Sequence, residues 1–393
     1  MMCSCCDRRQ RRQRSSSSTL CYYITAVVLL QNTLMAYNIA RRANTAALST
    51  PPQTVANWTT IQPDKGAGVQ SGVLGRVEAP SMISRNISFS FERFEFEKVP
   101  KTERMYYRKR PTKVNPYVHK MLLMPTHRLC DASTVMLTLV NSGTRNIAQR
   151  AAIRETWGSA ASTGSWPNQQ QNGSCAGLRL AFVLGLSGDA ATNHAIQQEH
   201  SNHNDIVQGD FVDNYHNMTL KSLLGLKVAA EHCPNVRYLL KTDDDMIVNL
   251  PYLLQLLANK GLQRSIMGPV NVGAGVHRSG KWKLTPEEFP FKRFPPYESG
   301  SAYIITGDVI HELFVTSEYV PHIFVDDVYV TGILGRVIGI NHVMHRGFAF
   351  WHGKPPSVCD IVLNRVVSGT RMTPALLRDI WRQLNKPVNC PVS

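Results

Sequence analysis

Two hydrophobic periods alternate along the chain from about residue 111 to its C-terminus. Short apolar runs of strand length are followed by segments in which apolar residues recur every three or four positions, as on one face of a helix. The apolar runs predict strands at 134–140, 178–184, 204–207, 238–242, 265–267 and 302–306. The amphipathic segments predict helices at 145–156, 193–200, 219–230, 251–259 and 373–384.

This alternation of strands and helices is typical of an α/β domain. It predicts a mostly parallel, Rossmann-like sheet with helices on both faces, in which ligands bind at the carboxyl ends of the strands. Residues 111–393 are numerous enough to form one large domain of this class.

The N-terminal part of the chain has the pattern of a membrane anchor. Residues 20–40 are uncharged, and an arginine-rich stretch at 8–14 precedes them. A bilayer-spanning helix needs about 20 such residues, and the positively charged flank stays in the cytosol. We therefore expect a cytosolic tail at 1–19, a transmembrane signal anchor at 20–40 and the rest of the chain in the secretory lumen. A cleaved signal peptide is the alternative, but the polar second half of the run favours an anchor.

Residues 41–110 have the composition of an extended stem. They are rich in Thr, Ser, Pro, Asn and Gly, so they bury too little apolar surface to fold compactly. Four Asn-X-Ser/Thr sequons in the chain agree with a lumenal location: Asn57, Asn86, Asn172 and Asn217.

Charge and cysteine content add two expectations. The formal net charge of +15 lies partly in the N-terminal arginines and is otherwise scattered, without the basic stripe that nucleic-acid binding needs, so we expect no nucleic-acid partner. The lumenal cysteines are expected to form two disulfides and leave one thiol, in pairings that the sequence does not specify: Cys130, Cys175, Cys233, Cys359 and Cys390.

Three consecutive carboxylates follow a predicted buried strand: Asp243, Asp244 and Asp245. Like charges at a sheet edge repel one another unless a cation or hydrogen-bond donors compensate them. Mn²⁺ or Mg²⁺ prefers carboxylate and phosphate oxygens, so these residues are candidates for a metal that also holds a diphosphate. The alternative is a solvated acidic turn.

Further candidate residues are spread along the domain. Arg150 and Arg154 lie one helical turn apart and could bind phosphate, or form a structural salt bridge with Glu155 or a later Asp. Lys221, on a predicted helix, could reach the same site.

Two later segments carry further candidate residues. Glu298 lies on a loop with a Pro-Pro turn and a glycine between aromatic residues, a composition suited to holding a sugar. Asp326 and Asp327 precede a helix-like run, where a carboxylate is otherwise often an N-cap.

Six motifs in fixed order resemble the β-1,3-galactosyltransferase family of Golgi hexosyltransferases. They are RAAIRETWG (150–158), FVLG (182–185), DIVQGDFVDNYHNMTLK (205–221), KTDDDMIVN (241–249), PPYESGSAY (295–303) and DDVYVTGIL (326–334). The resemblance covers about 115–390. It implies a GT-A fold, a Golgi membrane location in single-pass type II orientation, and inverting transfer from a UDP-sugar donor to a glycan acceptor on lipid or protein, with Mn²⁺ as the usual metal.

The resemblance also implies roles for individual residues. The metal motif falls on Asp243, Asp244 and Asp245, with Asp245 and Asp243 as metal ligands, and the catalytic base falls on Asp327. It implies donor binding by Arg150, Arg154, Lys221, Asp243 and Asp244, and a structural role for Trp157. The acceptor and sugar loop corresponds to Glu298, Ser299, Gly300 and Asp326.

One position departs from the family pattern. Relatives often have a His, usable as a further metal ligand, where this chain has Thr370; His345 and His352 are possible replacements. The expected reaction is transfer of galactose from UDP-galactose to a terminal sugar, such as N-acetylglucosamine, in β-1,3 linkage. The alternatives are transfer of N-acetylglucosamine by the same chemistry, and a glycan-binding pseudoenzyme without turnover.

Overall fold

The computed structural model describes residues 106–126, 129–167, 175–349 and 354–391. The predicted tail and anchor, the sequons at Asn57, Asn86 and Asn172, and His352 lie outside these residues. Within them, no helix combines the length and the apolar character that crossing a membrane requires.

Strands and helices alternate along the described chain. The strands are β1 (Met121–Leu123), β2 (Met136–Asn141), β3 (Leu178–Leu186), β4 (Ile206–Val212), β5 (Tyr238–Asp243), β6 (Ile247–Val248), β7 (Ser265–Gly268), β8 (Val270–Asn271), β9 (Tyr297–Glu298), β10 (Ala302–Thr306), β11 (Asn341–Met344), β12 (Phe348–Ala349) and β13 (Ser368–Gly369). The helices are α1 (Ile147–Glu155), α2 (Ala160–Thr163), α3 (Ala190–His203), α4 (Met218–His232), α5 (Leu250–Ala258), α6 (Ile310–Ser317), the π-helical α7 (Val328–Leu334), α8 (Gly335–Ile338), α9 (Val358–Val362) and α10 (Pro374–Leu384).

The central sheet has eight strands in the order β1-β4-β3-β2-β5-β10-β7-β11. Strands β4, β3, β2 and β5 are parallel neighbours, and β7 and β11 form a further parallel pair. Strand β10 lies antiparallel between β5 and β7, and β1 is antiparallel to β4. The predicted α/β sheet, parallel in most of its pairings, is confirmed, whereas the reversal of β10 was not predicted.

Both faces of the sheet are covered by helices. Along β2, Leu137 and Leu139 belong to one hydrophobic core, while Met136 and Val140 belong to the other. Helices α4, α6 and α7 contribute to the first core, and α1, α5 and α10 to the second. Because both sides of central strands such as β2 and β10 are buried, these strands are mostly apolar runs in the sequence.

Capping residues set the helix boundaries. Asp189 accepts hydrogen bonds from two backbone N–H groups of the first turn of α3, so this helix begins three residues earlier than predicted, at Ala190. Thr373 caps α10 in the same way, and Pro374 occupies its first position, where a missing N–H costs no hydrogen bond.

Two smaller sheets border the central one. Strand β8 pairs with β9 in the register Val270↔Glu298, which closes the base of the segment 272–296. Strand β13 pairs with β12 and with β6, and Gly369 lies opposite Ile247. The C-terminal segment therefore passes close to the acidic turn that follows β5.

Two disulfides cross-link the domain, and an aromatic residue from the segment before residue 111 packs against its core. The disulfides are Cys130–Cys233 and Cys359–Cys390, and Cys175 is a buried free thiol. The prediction of two disulfides and one thiol is confirmed. Tyr107 is 5% exposed and stacks on Phe291, so packed residues occur N-terminal to the predicted domain start at 111.

Candidate active site

Parallel strands β2 to β5 present polar groups at their carboxyl ends. Ser142 follows β2, and Asp213 follows β4. One Asp213 oxygen accepts a 2.9 Å hydrogen bond from the N–H of Gly185 in β3. Lys221 of α4 donates from Nζ to the other Asp213 oxygen and to the carbonyl oxygen of Ser142, each at 2.8 Å. The Lys221 side chain is 3% exposed, so in this structure its contacts are to protein groups that fix the strand ends.

Asp244 is held by the loop that follows β2. Its Oδ2 accepts hydrogen bonds from Ser142 Oγ at 2.7 Å, from Asn146 Nδ2 at 2.8 Å and from the Gly143 N–H at 3.3 Å. The residue is buried. Donors thus compensate this carboxylate, and the contacts fix the loop after β2 against the acidic turn.

Arg150 reaches the strand edge through Ser142. Its Nε and Nη2 bind the two carboxylate oxygens of Glu199 at 2.9 and 2.6 Å, and its Nη1 donates to Ser142 Oγ at 2.9 Å. The side chain is fully buried. Arg150 therefore supports the hydroxyl that binds Asp244, and its guanidinium is enclosed by protein rather than open to a donor.

Arg154 lies on the same face of α1, as the spacing predicted, and also has acidic partners. It binds Glu199 at 2.7 Å and forms two hydrogen bonds with Asp205 at 2.7 and 2.8 Å. The structural salt bridge considered as the alternative is therefore present for both arginines. Its acidic partners lie on α3 and just after it, whereas Glu155 pairs with Arg378.

A buried lysine lies at the centre of the acidic edge. Lys241 of β5 is 6% exposed, and its Nζ donates to Asp243 Oδ1 at 2.7 Å and to the carbonyl oxygen of Gly300. Burial lowers the pKa of Lys241, but the carboxylates of Asp243, Asp326 and Asp327 raise it by more. The lysine therefore remains a fixed positive charge among these acids.

The Asp326–Asp327 pair lies at the start of α7 and faces the same edge. Asp327 Oδ1 accepts from the Val328 N–H at 2.8 Å, as an N-cap does, and its Oδ2 accepts from the Gly300 N–H at 2.9 Å. Asp326 Oδ2 accepts a 2.6 Å hydrogen bond from Ser222 Oγ of α4. Asp327 therefore caps α7 and also contacts the 298–301 loop beside the acidic edge.

Crowding of these carboxylates changes their titration. Burial raises the pKa of Asp327 to about 7, and the charge of Asp326 adds to this, while Lys241 opposes it. Burial also raises the pKa of Asp243 to about 6, although Lys241 opposes the shift and Asp326 and Asp245 add to it. The acids after β5 and those before α7 therefore act on one another in a single cluster. A carboxylate that titrates near neutral pH is suited to general base catalysis.

Asp245 is the exposed member of the acidic turn. Its carbonyl oxygen accepts a 2.9 Å hydrogen bond from the Met372 N–H, which brings the segment with Thr370 close to the turn. Across the described ranges, no three His, Cys, Asp or Glu side chains converge as metal ligands. An ion that also binds a diphosphate needs only one or two carboxylates, and Asp243 and Asp245, which act on each other electrostatically, could supply them.

The 298–301 loop borders the cluster through its backbone. Besides the contacts of Gly300, the Ser299 N–H donates to the Pro269 carbonyl oxygen at 3.0 Å. Glu298 was predicted on a loop that holds a sugar, but its side chain is fully buried and its carboxylate binds His342 Nδ1 at 3.0 and 3.1 Å, so it is not open to a ligand. The pairing of β9 with β8 directs this side chain inward, because successive residues of a strand point to opposite faces.

Several residues of the cluster were not identified from the sequence. Lys241 gave a detectable signal, since it interrupts an apolar strand just before the acids. The roles of Ser142, Asn146 and Ser222 gave none, because their acidic partners lie 102, 98 and 104 residues away.

Other predicted residues are placed away from the acidic cluster or within the core. Trp157 is fully buried and donates from Nε1 to the Met246 carbonyl oxygen at 2.9 Å, which confirms its structural role. His345 is 6% exposed, and its Nδ1 accepts a hydrogen bond from the Gly347 N–H. In this structure His345 is therefore a core histidine. Asn217, a sequon residue, donates a hydrogen bond from its side-chain amide to the Val212 carbonyl oxygen at 2.8 Å.

Comparisons with known proteins identify the family of this chain. Residues 148–346 match the family model described as galactosyltransferase. The chain is 31% identical over 295 residues to "Beta-1,3-galactosyltransferase 5" of Homo sapiens, which covers 72% of this chain and 91% of that protein. It is 30% identical over 279 residues to "Beta-1,3-galactosyltransferase 1" of Mus musculus, covering 69% of this chain and 80% of that one.

A solved structure of the galactosyltransferase LgtC with donor and acceptor sugar analogues is a weaker match. It is 11% identical, covers 64% of this chain and 97% of that one, and superposes with a TM-score of 0.32, which supports no inference. The family is shown instead by the family model and by the two sequence relatives. This chain belongs to the β-1,3-galactosyltransferase family and is a hexosyltransferase.

Proposed function

We propose that this enzyme transfers galactose from UDP-galactose to a terminal N-acetylglucosamine of a lipid- or protein-linked glycan. The new bond is β-1,3, and the configuration at the anomeric carbon is inverted. The proposal rests on the family and on the cluster formed by Asp243, Asp245, Asp326 and Asp327 around Lys241.

On the donor side, Asp243 and Asp245 would hold Mn²⁺ or Mg²⁺ together with the diphosphate of UDP. When bound, the ion offsets the negative charge that develops on the departing UDP. Asp244, Lys221 and Arg150 serve this edge indirectly, because their protein contacts fix the loops around it. We therefore propose positioning, not direct donor contact, for Lys221 and Arg150.

On the acceptor side, Asp327 is the proposed general base. The N–H groups of Val328 and Gly300 each hold one of its oxygens, and each oxygen retains lone-pair capacity for the acceptor hydroxyl. Asp327 takes the hydroxyl proton as that oxygen attacks the anomeric carbon from the face opposite UDP. One carbon–oxygen bond forms as the bond to UDP breaks, so inversion follows.

One observation carries the proposal. The Gly300 N–H holds Asp327 Oδ2 at 2.9 Å, while the Gly300 carbonyl oxygen accepts from Lys241, which holds Asp243 Oδ1 at 2.7 Å. A solvated acidic turn or a simple N-cap would not need a second acid pair and a buried lysine at the same place. The cluster has the parts that a displacement reaction requires.

Release of UDP by the purified protein tests the function. Donors would be UDP-galactose, UDP-N-acetylglucosamine and UDP-glucose, each with acceptors that end in N-acetylglucosamine, galactose or N-acetylgalactosamine, with and without Mn²⁺. We expect release with UDP-galactose and the N-acetylglucosamine acceptor when Mn²⁺ is present. Asp327→Asn protein serves as the inactive control.

The other outcomes identify the alternatives. Turnover with UDP-N-acetylglucosamine alone would make the protein an N-acetylglucosaminyltransferase. Absence of turnover with every pair, in a folded protein that still binds glycan, would favour the pseudoenzyme, for which Thr370 in place of a common His is the motivating departure.

We also propose that the enzyme is a single-pass type II protein of the Golgi membrane. The uncharged run at 20–40 with its arginine-rich flank supports the anchor. Cys130–Cys233 and Cys359–Cys390 support an oxidising compartment, since such bonds are rare in the cytosol. In sealed Golgi vesicles, protease added from outside should cleave an N-terminal tag. Cleavage of the tag only after the vesicles are permeabilised would contradict this orientation.

A further inference from the structure

A buried acid–imidazole pair lies behind the loop that contacts the proposed base. Glu298 is fully buried and His342 is 6% exposed, and His342 Nδ1 lies 3.0 and 3.1 Å from the two carboxylate oxygens. Neither side chain takes part in the reaction proposed above. A buried charged group is costly unless it is paired, so the two side chains hold each other in place.

The pair is connected to Asp327 by two short routes through the chain. The Glu298 N–H donates to Thr331 Oγ1 at 2.9 Å, and this hydroxyl donates to the Asp327 carbonyl oxygen at 2.7 Å. Two residues after Glu298, the Gly300 N–H donates to Asp327 Oδ2 at 2.9 Å. Any shift of Glu298 therefore changes both the backbone and the carboxylate contacts of the base.

The pair is also anchored in rigid structure on its far side. His342 lies in β11, in parallel register with Ile266 of β7. Gly268 of β7 leaves little room beside the acid, because a Cβ there would lie 3.0 Å from Glu298 Cγ. The pair thus connects the edge of the central sheet to the 298–301 loop.

We propose that Glu298 and His342 are positioning residues for the catalytic base. Their contact fixes the 298–300 backbone so that Gly300 orients the Asp327 carboxylate toward the acceptor hydroxyl. This inference rests on the proposed function for the role of Asp327, and adds a residue pair that touches neither substrate nor metal.

Glu298→Gln tests the pair, since it keeps the shape of the side chain and removes its charge. We expect kcat to fall about tenfold, because a small displacement of a catalytic group is costly, while the KM for UDP-galactose changes less than about twofold. Glu312→Gln is the matched control. Glu312 lies on α6 and forms an exposed ion pair with Arg264, so this substitution should leave kcat and KM unchanged. A kcat equal to wild type in Glu298→Gln overturns the proposal, even if the melting temperature falls.

The partner variant provides a second test. His342→Gln should lower kcat in the same way and leave UDP binding in Mn²⁺ intact. In the double variant Glu298→Gln/His342→Gln we expect a loss no larger than that of the worse single variant, because two residues that act as one unit are not additive. Losses that multiply would show that the residues act separately and would overturn the pair.

Hydrogen exchange separates failure of this inference from failure of the proposed function. Glu298→Gln should accelerate amide exchange in the 297–303 segment of the full-length protein, without a change in the β2–β5 strands. If the wild-type protein transfers no sugar, the proposed function fails. Unchanged amide exchange at 297–303 in Glu298→Gln would overturn the role of the Glu298–His342 pair, whether or not the wild-type protein is active. If wild type is active, faster exchange together with unchanged kcat also overturns it.

Discussion

The backbone N–H of Gly300 donates a 2.9 Å hydrogen bond to Oδ2 of Asp327, and the carbonyl oxygen of the same glycine accepts from Lys241. One peptide segment therefore joins the proposed base to the buried lysine, which in turn holds Asp243 at 2.7 Å. The donor and acceptor sides of the cluster share this contact. A small displacement of Gly300 should act first on Asp327, which its N–H contacts directly, because the Asp243 carboxylate is reached through Lys241.

Gly300→Ala tests how closely the base is held. A Cβ at this position would lie 3.3 Å from both Cβ and Oδ2 of Asp327, closer than ordinary contact, so the carboxylate or the loop must move. We expect kcat to fall by about tenfold to a hundredfold, with folding preserved. Steady-state kinetics measure this. Gly188→Ala is the control, because nothing lies within 4 Å of a Cβ there.

Asp245→Ala and Asp327→Asn should separate binding from chemistry. Loss of Asp245 removes an exposed carboxylate from the proposed metal edge, so Mn²⁺-dependent UDP binding should disappear in calorimetry. Asp327→Asn should leave that binding intact and lower kcat by about 10³-fold, within the range for a general base. Asp379→Ala, at an exposed acid on α10, controls for charge. Equal loss of UDP binding in Asp327→Asn, with the fold intact, would contradict this assignment.

The activity should depend on pH through Asp327. Its pKa is raised to about 7, and only the ionised form accepts a proton, so kcat/KM should fall as pH decreases through this region. A bound divalent cation favours the ionised form of Asp327 and moves the acidic limb of the profile of kcat/KM against pH to lower pH. Lys241→Gln removes a cation that lowers the pKa of Asp327, so the limb should move to higher pH. A limb unaffected by Lys241→Gln would argue against this assignment.

The same shift predicts the sign of a stability effect. Because the folded pKa of Asp327 lies above its usual value of 3.8, ionisation in the folded state is unfavourable. Its contribution to stability is therefore greatest below pH 3.8 and declines as pH rises toward about 7. Asp327→Asn, which cannot ionise, should melt at a higher temperature than wild type at pH 8. The difference should shrink as the pH is lowered.

The two disulfides should contribute unequally to stability. Cys130–Cys233 spans 103 residues and Cys359–Cys390 spans 31, so the first constrains a longer loop of the unfolded chain. Loop-closure entropy predicts that replacing the first pair by alanine costs about 1 kcal/mol more than replacing the second. Denaturant unfolding of the two double variants measures the difference, and Cys175→Ala tests whether the leftover thiol exchanges with either bond.

Much of the architecture was predictable because it follows from local patterns. Strands buried on both faces are continuous apolar runs, and α10 is amphipathic with Thr373 at its cap, so both kinds of element can be identified from the sequence. The acidic turn after β5 was likewise visible as three adjacent aspartates.

The remaining features depend on contacts between distant residues. Glu199 and Asp205, which pair with Arg150 and Arg154, lie 45 to 51 positions further along, and no local signal links them. Glu298 was expected to contact a sugar because of the composition of its loop, but the β8–β9 register directs its side chain toward His342, 44 residues away. Side-chain direction in a two-residue strand depends on pairing, which composition does not reveal.

The reversed strand β10 brings the C-terminal end of the segment 272–296 close to the acidic edge. Because β10 runs opposite to β5, with Ala302 beside Thr242, it is the start of β10 that lies at the acidic edge. The β8–β9 pairing holds the two ends of the segment 272–296 together beside this edge, while Leu284 and Phe289 within the segment are buried in the core. Substitutions at its exposed positions, such as Val272 and Trp282, would therefore change the surface of this segment and leave the register of the eight-stranded sheet intact.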